Sequence, residues 1–138
     1  MNDKIIKQVS VFVENKPGRL AAVTEKLYQE EINIRAFTIA EAGDFGIIRM
    51  VVDKTEDAYK ALKNDGFTVT LTDVIGVEVE HTPGELYKIA NTLGEKNINV
   101  EYVYAFISGE GTATIILRVD DIEKAIDVLE KEWVVLKR

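Results

Sequence analysis

Asn15-Lys16-Pro17-Gly18-Arg19-Leu20 returns 66 residues later as His81-Thr82-Pro83-Gly84-Glu85-Leu86. At the same offset Val11 and Val13 meet Val77 and Val79, Glu14 meets Glu80, Leu27 meets Leu93, and Ile32-Asn33 meets Ile98-Asn99. A repeat near half the length of a 138-residue chain implies two similar small units, each too small to bury much apolar surface alone. The only prolines, Pro17 and Pro83, stand at equivalent points, so one special turn is used twice. The division is expected between residues 71 and 72, giving units 1–71 and 72–138.

Within each unit the hydrophobic period alternates between that of a strand and that of a helix. Val9, Val11 and Val13 alternate with Ser10, Phe12 and Glu14 as in a strand, and the Pro-Gly turn breaks it. Leu20, Val23 and Leu27 then fall on one helical face. Residues 32–41 read as a second strand, 41–46 as a hairpin turn and 47–53 as a third strand rich in β-branched residues. Lys54-Thr55-Glu56-Asp57 supplies a cap and an acidic first turn for a helix carrying Ala58, Ala61 and Leu62, which Gly66 ends before a strand over 67–71. The second unit repeats this order: a strand over 75–80, a helix on Leu86, Ile89, Ala90 and Leu93, and a hairpin across Gly109-Glu110-Gly111. A helix on Ile122, Ala125, Ile126 and Leu129 and a strand over 133–137 complete it. Asp53 matches Asp120 at an offset of 67, so one copy has gained a residue at the hairpin tip, where insertion is cheap.

The fold class is therefore α+β: two tandem ferredoxin-like βαββαβ units, antiparallel sheets with helices on one face. Thr72-Asp73-Val74 is too short and too apolar for a flexible linker. In the second strand Ile34 and Ala36 are expected on one face, with Phe37 and Ile39 on the other. In its counterpart Val100, Tyr102, Tyr104 and Phe106 are expected to oppose Val103, Ala105 and Ile107. Both faces are apolar while helices cover one, which points to an open sheet face packed on a second chain, most simply a homodimer.

Composition narrows the function. A net charge of −7 argues against nucleic acid and against an anionic membrane surface. The chain has no cysteine, which removes thiolate nucleophiles, disulfides and zinc-thiolate sites. With a single histidine, a catalytic triad is hard to assemble, and no cofactor loop is present. Asp44-Phe45-Gly46 is a hairpin rather than a kinase motif, and Gly109-Glu110-Gly111 does not open a helix after a parallel strand. Glu78, Glu80 and His81 read as solvated polar residues rather than as a metal site. A non-catalytic protein without cofactor or metal is expected. The absence of a leader or an apolar span makes the cytoplasm the expected compartment.

A strand ending in Glu14-Asn15-Lys16-Pro17-Gly18-Arg19-Leu20, a helix, and a strand opening at Ile32-Asn33-Ile34 resembles an ACT domain. Glu80 to Leu86 with Ile98-Asn99-Val100 gives a second copy, so the resemblance covers nearly the whole chain. It implies regulatory sensing of a small metabolite, most often an amino acid, held near the turn between first strand and first helix at a domain interface. His81-Thr82 departs from the usual acidic or amide residue at this turn, so the second site is expected to differ in ligand or to stand vacant.

The turn suits a ligand on physical grounds as well. Gly18 lacks a Cβ, so a ligand can approach the backbone, and the first amides of a helix are unpaired and partly positive, which suits a carboxylate. The candidate ligand-binding residues are Asn15, Lys16, Pro17, Gly18, Arg19 and Leu20, with His81, Thr82, Pro83, Gly84, Glu85 and Leu86. The carboxylate is expected on the Gly18 and Arg19 amides, the ammonium group at Asn15 and the side chain on Leu20. Arg19 opposes the helix dipole at a cost of about 0.3–1 kcal/mol, which suggests that it holds an anion, whereas Glu85 suits the helix itself. His81 is expected as an exposed turn residue, and Asn33 and Asn99 as residues that satisfy local backbone. The expected role is a sensor of a small amino acid or related carboxylate; the alternative is a detached regulatory subunit of an amino-acid-metabolism enzyme.

Overall fold

The computed structural model describes residues 2–138. The elements run β1 (Ile6–Glu14), α1 (Arg19–Gln29), β2 (Ile34–Ala42), β3 (Phe45–Val52), α2 (Thr55–Asn64), β4 (Thr68–Glu80), α3 (Glu85–Glu95), β5 (Val100–Gly109), β6 (Thr112–Val119), α4 (Ile122–Leu129) and β7 (Val134–Val135). Two βαββαβ patterns share this chain, with antiparallel ladders and helices on one face of each sheet. Compact packing divides the chain into Lys7–Thr72 and a later unit, Asp73–Arg138, to which the N-terminal segment through Ile6 belongs.

Two expected strands, 67–71 and 75–80, are one continuous strand, β4. Thr72-Asp73-Val74 carries neither glycine nor proline, and β-branched Thr72 and Val74 extend the strand through Asp73 rather than interrupt it. The last strand is shorter than expected, two residues in place of five.

In the Lys7–Thr72 unit, Val9, Val11 and Val13 stand opposite Met50, Ile48 and Gly46, and Ile34, Phe37 and Ile39 join the same face through β3. Val23 and Leu27 of α1 and Ala58 and Leu62 of α2 close over that face, all fully buried. The later unit repeats the layer with Ile75, Val77, Val79, Ile115, Leu117 and Val119 beneath Ile89, Leu93, Ala125, Ile126 and Leu129. Ile5 packs on this second core, consistent with the place of the N-terminal segment.

The face assignment of β2 and β5 differs from strict alternation. A bulge between Ile34 and Ala36 returns Ile34 to the side of Phe37 and Ile39, and one between Val100 and Tyr102 does the same for Val100. Phe37, Ile39, Val103 and Ile107 thus lie on the helix-covered side, yet are 53%, 47%, 39% and 69% exposed. The most exposed apolar side chains of these two strands thus lie on the helix-bearing face, while Tyr102, Tyr104 and Phe106 on the opposite face are half-buried.

Candidate functional site

The turn after the first strand of each unit is built the same way. Asn15 N donates to Asp44 O at 2.8 Å and His81 N to Gly111 O at 2.9 Å, so each turn is tied to the tip of the β2–β3 or β5–β6 hairpin. Lys16 N to Glu14 O (3.0 Å) and Thr82 N to Glu80 O (2.9 Å) tighten the bend. These four amides are taken. The next ones differ: the first i to i−4 bonds of α1 and α3 are Ala22 N to Gly18 O and Lys88 N to Gly84 O, both 3.0 Å. The amides just before Ala22 and Lys88 therefore have no intrahelical carbonyl. Arg19 N reaches Lys16 O only at 3.5 Å.

Gly18 and Gly84 are the N-caps, at φ +91 and +94 with no side-chain cap. A Cβ at either would meet no atom within 4 Å, so glycine is required there by backbone conformation and not by crowding. Pro17 and Pro83 stand two residues ahead of their helices rather than at the first helical position.

The candidate side chains divide by copy. In the first, Asn15 Nδ2 donates to Gly43 O at 3.1 Å, which fastens the turn to the hairpin rather than capping α1. Lys16 Nζ lies 3.2 Å from Glu14 Oε2, and Arg19 Nη2 lies 4.0 Å from Glu14 Oε1. Arg19 Nε is buried with no hydrogen-bond partner among the described residues. In the second, Glu85 Oε2 accepts from Lys88 Nζ at 3.0 Å. This bond, with the charge of Glu85 and, more weakly, of Glu80, holds the Lys88 ammonium above its ordinary value of 10.5. His81, Thr82, Pro83 and Gly84 are exposed, as an open turn requires.

A cavity of about 350 Å³ adjoins the second turn, lined by Val79, Glu80, His81, Thr82, Glu85, Leu86, Val103, Tyr104, Ala105, Ala113 and Ile115. It brings His81, Thr82, Glu85 and Leu86 together; Pro83 and Gly84 lie outside its wall. Its floor comes from Val79 of β4 together with β5 and β6, and the sequence reading did not connect the latter two with the turn. At offsets of 66 and 67 the first copy places Phe37 for Val103, Ile39 for Ala105 and Gly46 for Ala113. That difference in bulk was the available signal.

On the other side of the turn lies a concavity that both copies share. In the first it measures about 410 Å³, between Phe12, Val13, Glu14, Arg19, Phe45 and residues 65–68. In the second it measures about 290 Å³, between Glu78, Val79, Glu80, Glu85, Thr112, Glu132, Trp133 and Val134. Most of these positions correspond at the repeat offsets, and Arg19 of the first becomes Glu85 of the second. Asn33 and Asn99 lie away from all three cavities, engaged through their backbones.

Among the described residues no group of three or more His, Asp or Glu side chains could hold a metal ion. No helix among them is long and apolar enough to cross a membrane.

A family model described as the ACT domain pair matches residues 4–136. Among solved structures, protein BT0572 from Bacteroides thetaiotaomicron is 42% identical, with a TM-score of 0.91 over 97% of this chain and 93% of that one. The regulatory subunit of aspartate kinase from Thermus thermophilus is 19% identical, with a TM-score of 0.67 over 91% and 90%. Its counterpart from Thermus flavus is 18% identical, with a TM-score of 0.63 over 91% and 90%. At such identities the latter two establish a shared fold. No curated protein sequence is significantly similar to this chain.

Proposed function

The chain belongs to the ACT domain pair family, a class of regulatory, small-molecule-binding domains, and we propose that it senses a small amino acid or related carboxylate at its Pro-Gly turns. The observation that carries this reading is the cavity against the second turn. It joins an apolar floor to four turn residues at the start of α3, where the amides before Lys88 have no intrahelical carbonyl. The ligand's carboxylate meets the amides that open the helix, at Gly18-Arg19 in the first copy or Glu85-Leu86 in the second. Its ammonium group faces the polar residues of the turn, Asn15 in the first copy and the Glu80 and Glu85 carboxylates in the second. Leu20 or Leu86 meets its side chain. Arg19, with Nε unpartnered, is the anion-holding candidate of the first copy.

The role is non-catalytic and cytoplasmic, and the output is a change of packing with a second copy of the chain. Exposed Leu20, Phe37, Ile39, Leu86, Val103 and Ile107 provide the apolar surface for that homodimer. A second reading gives the same surface to a catalytic enzyme, with this chain as its detached regulatory subunit. The names of the two aspartate kinase neighbours favour keeping it.

A thermal-shift panel of the common amino acids is the test. At about a hundred times its dissociation constant a ligand adds roughly 2.7 kcal/mol of stability. A response to one or a few amino acids supports the sensor, and silence across the panel rejects it. Sedimentation of the pure protein then separates a dimer from a subunit that needs an enzyme partner.

A further inference from the structure

Resting on the sensor reading and narrowing it to one of its two turns, we infer that the turns are not equivalent: one ligand binds per chain, in the second copy rather than at Arg19, and it is an α-amino acid with a compact aliphatic side chain. The copies share a backbone, so the difference lies in what fills the space between the turn and the second and third strands of each unit.

In the second copy that space is open. Ala105 ends at Cβ, Val103 is short, and the cavity reaches Ala113 and Ile115 on β6. In the first copy Ile39 replaces Ala105 and Phe37 replaces Val103. The position of Ala113 is taken by Gly46, and a Cβ built on Gly46 would lie 3.9 Å from Ile39 Cγ2 and 3.7 Å from Val13 Cγ2. The Ile39 methyl thus reaches over the strand where the second copy keeps its floor clear.

The same cavity limits the ligand. At about 350 Å³ it stands at the small end of ligand sites, suited to a single amino acid rather than a nucleotide. Its floor of Val79, Ala105, Ala113 and Ile115 offers a charged side chain no partner, so burying one there is costly. Charge is confined to the rim. Glu80 and Glu85 outnumber Lys88, which favours the ligand's ammonium group and repels a second carboxylate. A side chain of three or four carbons satisfies floor and rim together.

Calorimetry with L-valine, L-leucine and L-isoleucine against L-aspartate, L-glutamate and L-lysine tests this. The expected result is one site per chain, with an aliphatic member bound at least tenfold more tightly than any charged one. Ala105→Ile copies the residue that the first unit already carries at this position, so the substitution suits the fold; it is expected to weaken binding at least tenfold. Val103→Phe serves as a second occluding variant. Two sites per chain, preference for a charged amino acid, or unchanged affinity in both folded occluding variants would overturn the inference while the sensor reading stands. No binding by any amino acid defeats both.

Discussion

Asp53 and Asn33 close on each other through two hydrogen bonds. Asp53 Oδ1 accepts from Asn33 N at 2.9 Å, and Asp53 N donates to Asn33 O at 3.1 Å. Asp120 and Asn99 repeat the arrangement at 3.0 and 3.2 Å. The aspartate that ends the third strand of each unit thereby fastens the approach to the second, just beyond the regular ladder. Only the backbone of the asparagine takes part. Asp53→Ala and Asp120→Ala should each destabilise by about 1 kcal/mol, the usual net worth of such a bond. Asn33→Ala and Asn99→Ala should change stability far less. Urea denaturation of the four variants checks the contrast.

Glycine substitutions should divide by backbone conformation. Gly18→Ala and Gly84→Ala force an L side chain to positive φ without any clash and should cost about 1–2 kcal/mol each. Gly94 lies in α3 at ordinary helical geometry with open space around it, so Gly94→Ala should stabilise by about 0.5–1 kcal/mol. Thermal midpoints of opposite sign are the expected readout.

The Lys88–Glu85 pair is an alkaline feature. Because Glu85 raises the Lys88 value, the pair's contribution is fully present below 10.5 and fades as pH climbs through the higher folded value. Glu85→Gln should bring Lys88 back toward 10.5, observed as a lower midpoint in an NMR titration of the lysine. Stability near pH 7 should respond little, since the ammonium is exposed and solvent screens the pair.

Leu27 and Leu93 occupy the same place under α1 and α3, each fully buried. Replacement by alanine should cost about 2–5 kcal/mol in either copy, through lost transfer energy and the cavity left behind. A much smaller loss at one of them, by calorimetry or urea titration, would mean that its helix packs more loosely than described.

The duplicated order of elements was legible because a hydrophobic period survives in every helix and most strands. Asp121 caps α4, accepting from Lys124 N at 3.2 Å. What escaped was where periodicity slips. The bulges at Ile34/Ala36 and Val100/Tyr102 change which face later residues occupy, and nothing in Arg35 or Glu101 announces this. The seam between units escaped for the opposite reason: Thr72 and Val74 suit a strand, so β4 runs through it. Of the cavity, the turn residues His81 to Leu86 were recognisable as a motif. Ala105 and Val103 were not, because small apolar residues in a strand carry no signal until compared with Ile39 and Phe37.

The place of the N-terminal segment has a consequence for biosynthesis. Lys4 pairs with Glu130, Asp3 O accepts from Arg138 N at 3.0 Å, and the Asp3 carboxylate lies 3.8 Å from Lys137 Nζ. A ribosome delivers those partners only after the whole of Lys7–Thr72 has been made, and that unit can condense while Asp73–Arg138 is still emerging. Asp3 and Lys4 thus find their place later than the unit that follows them in the chain.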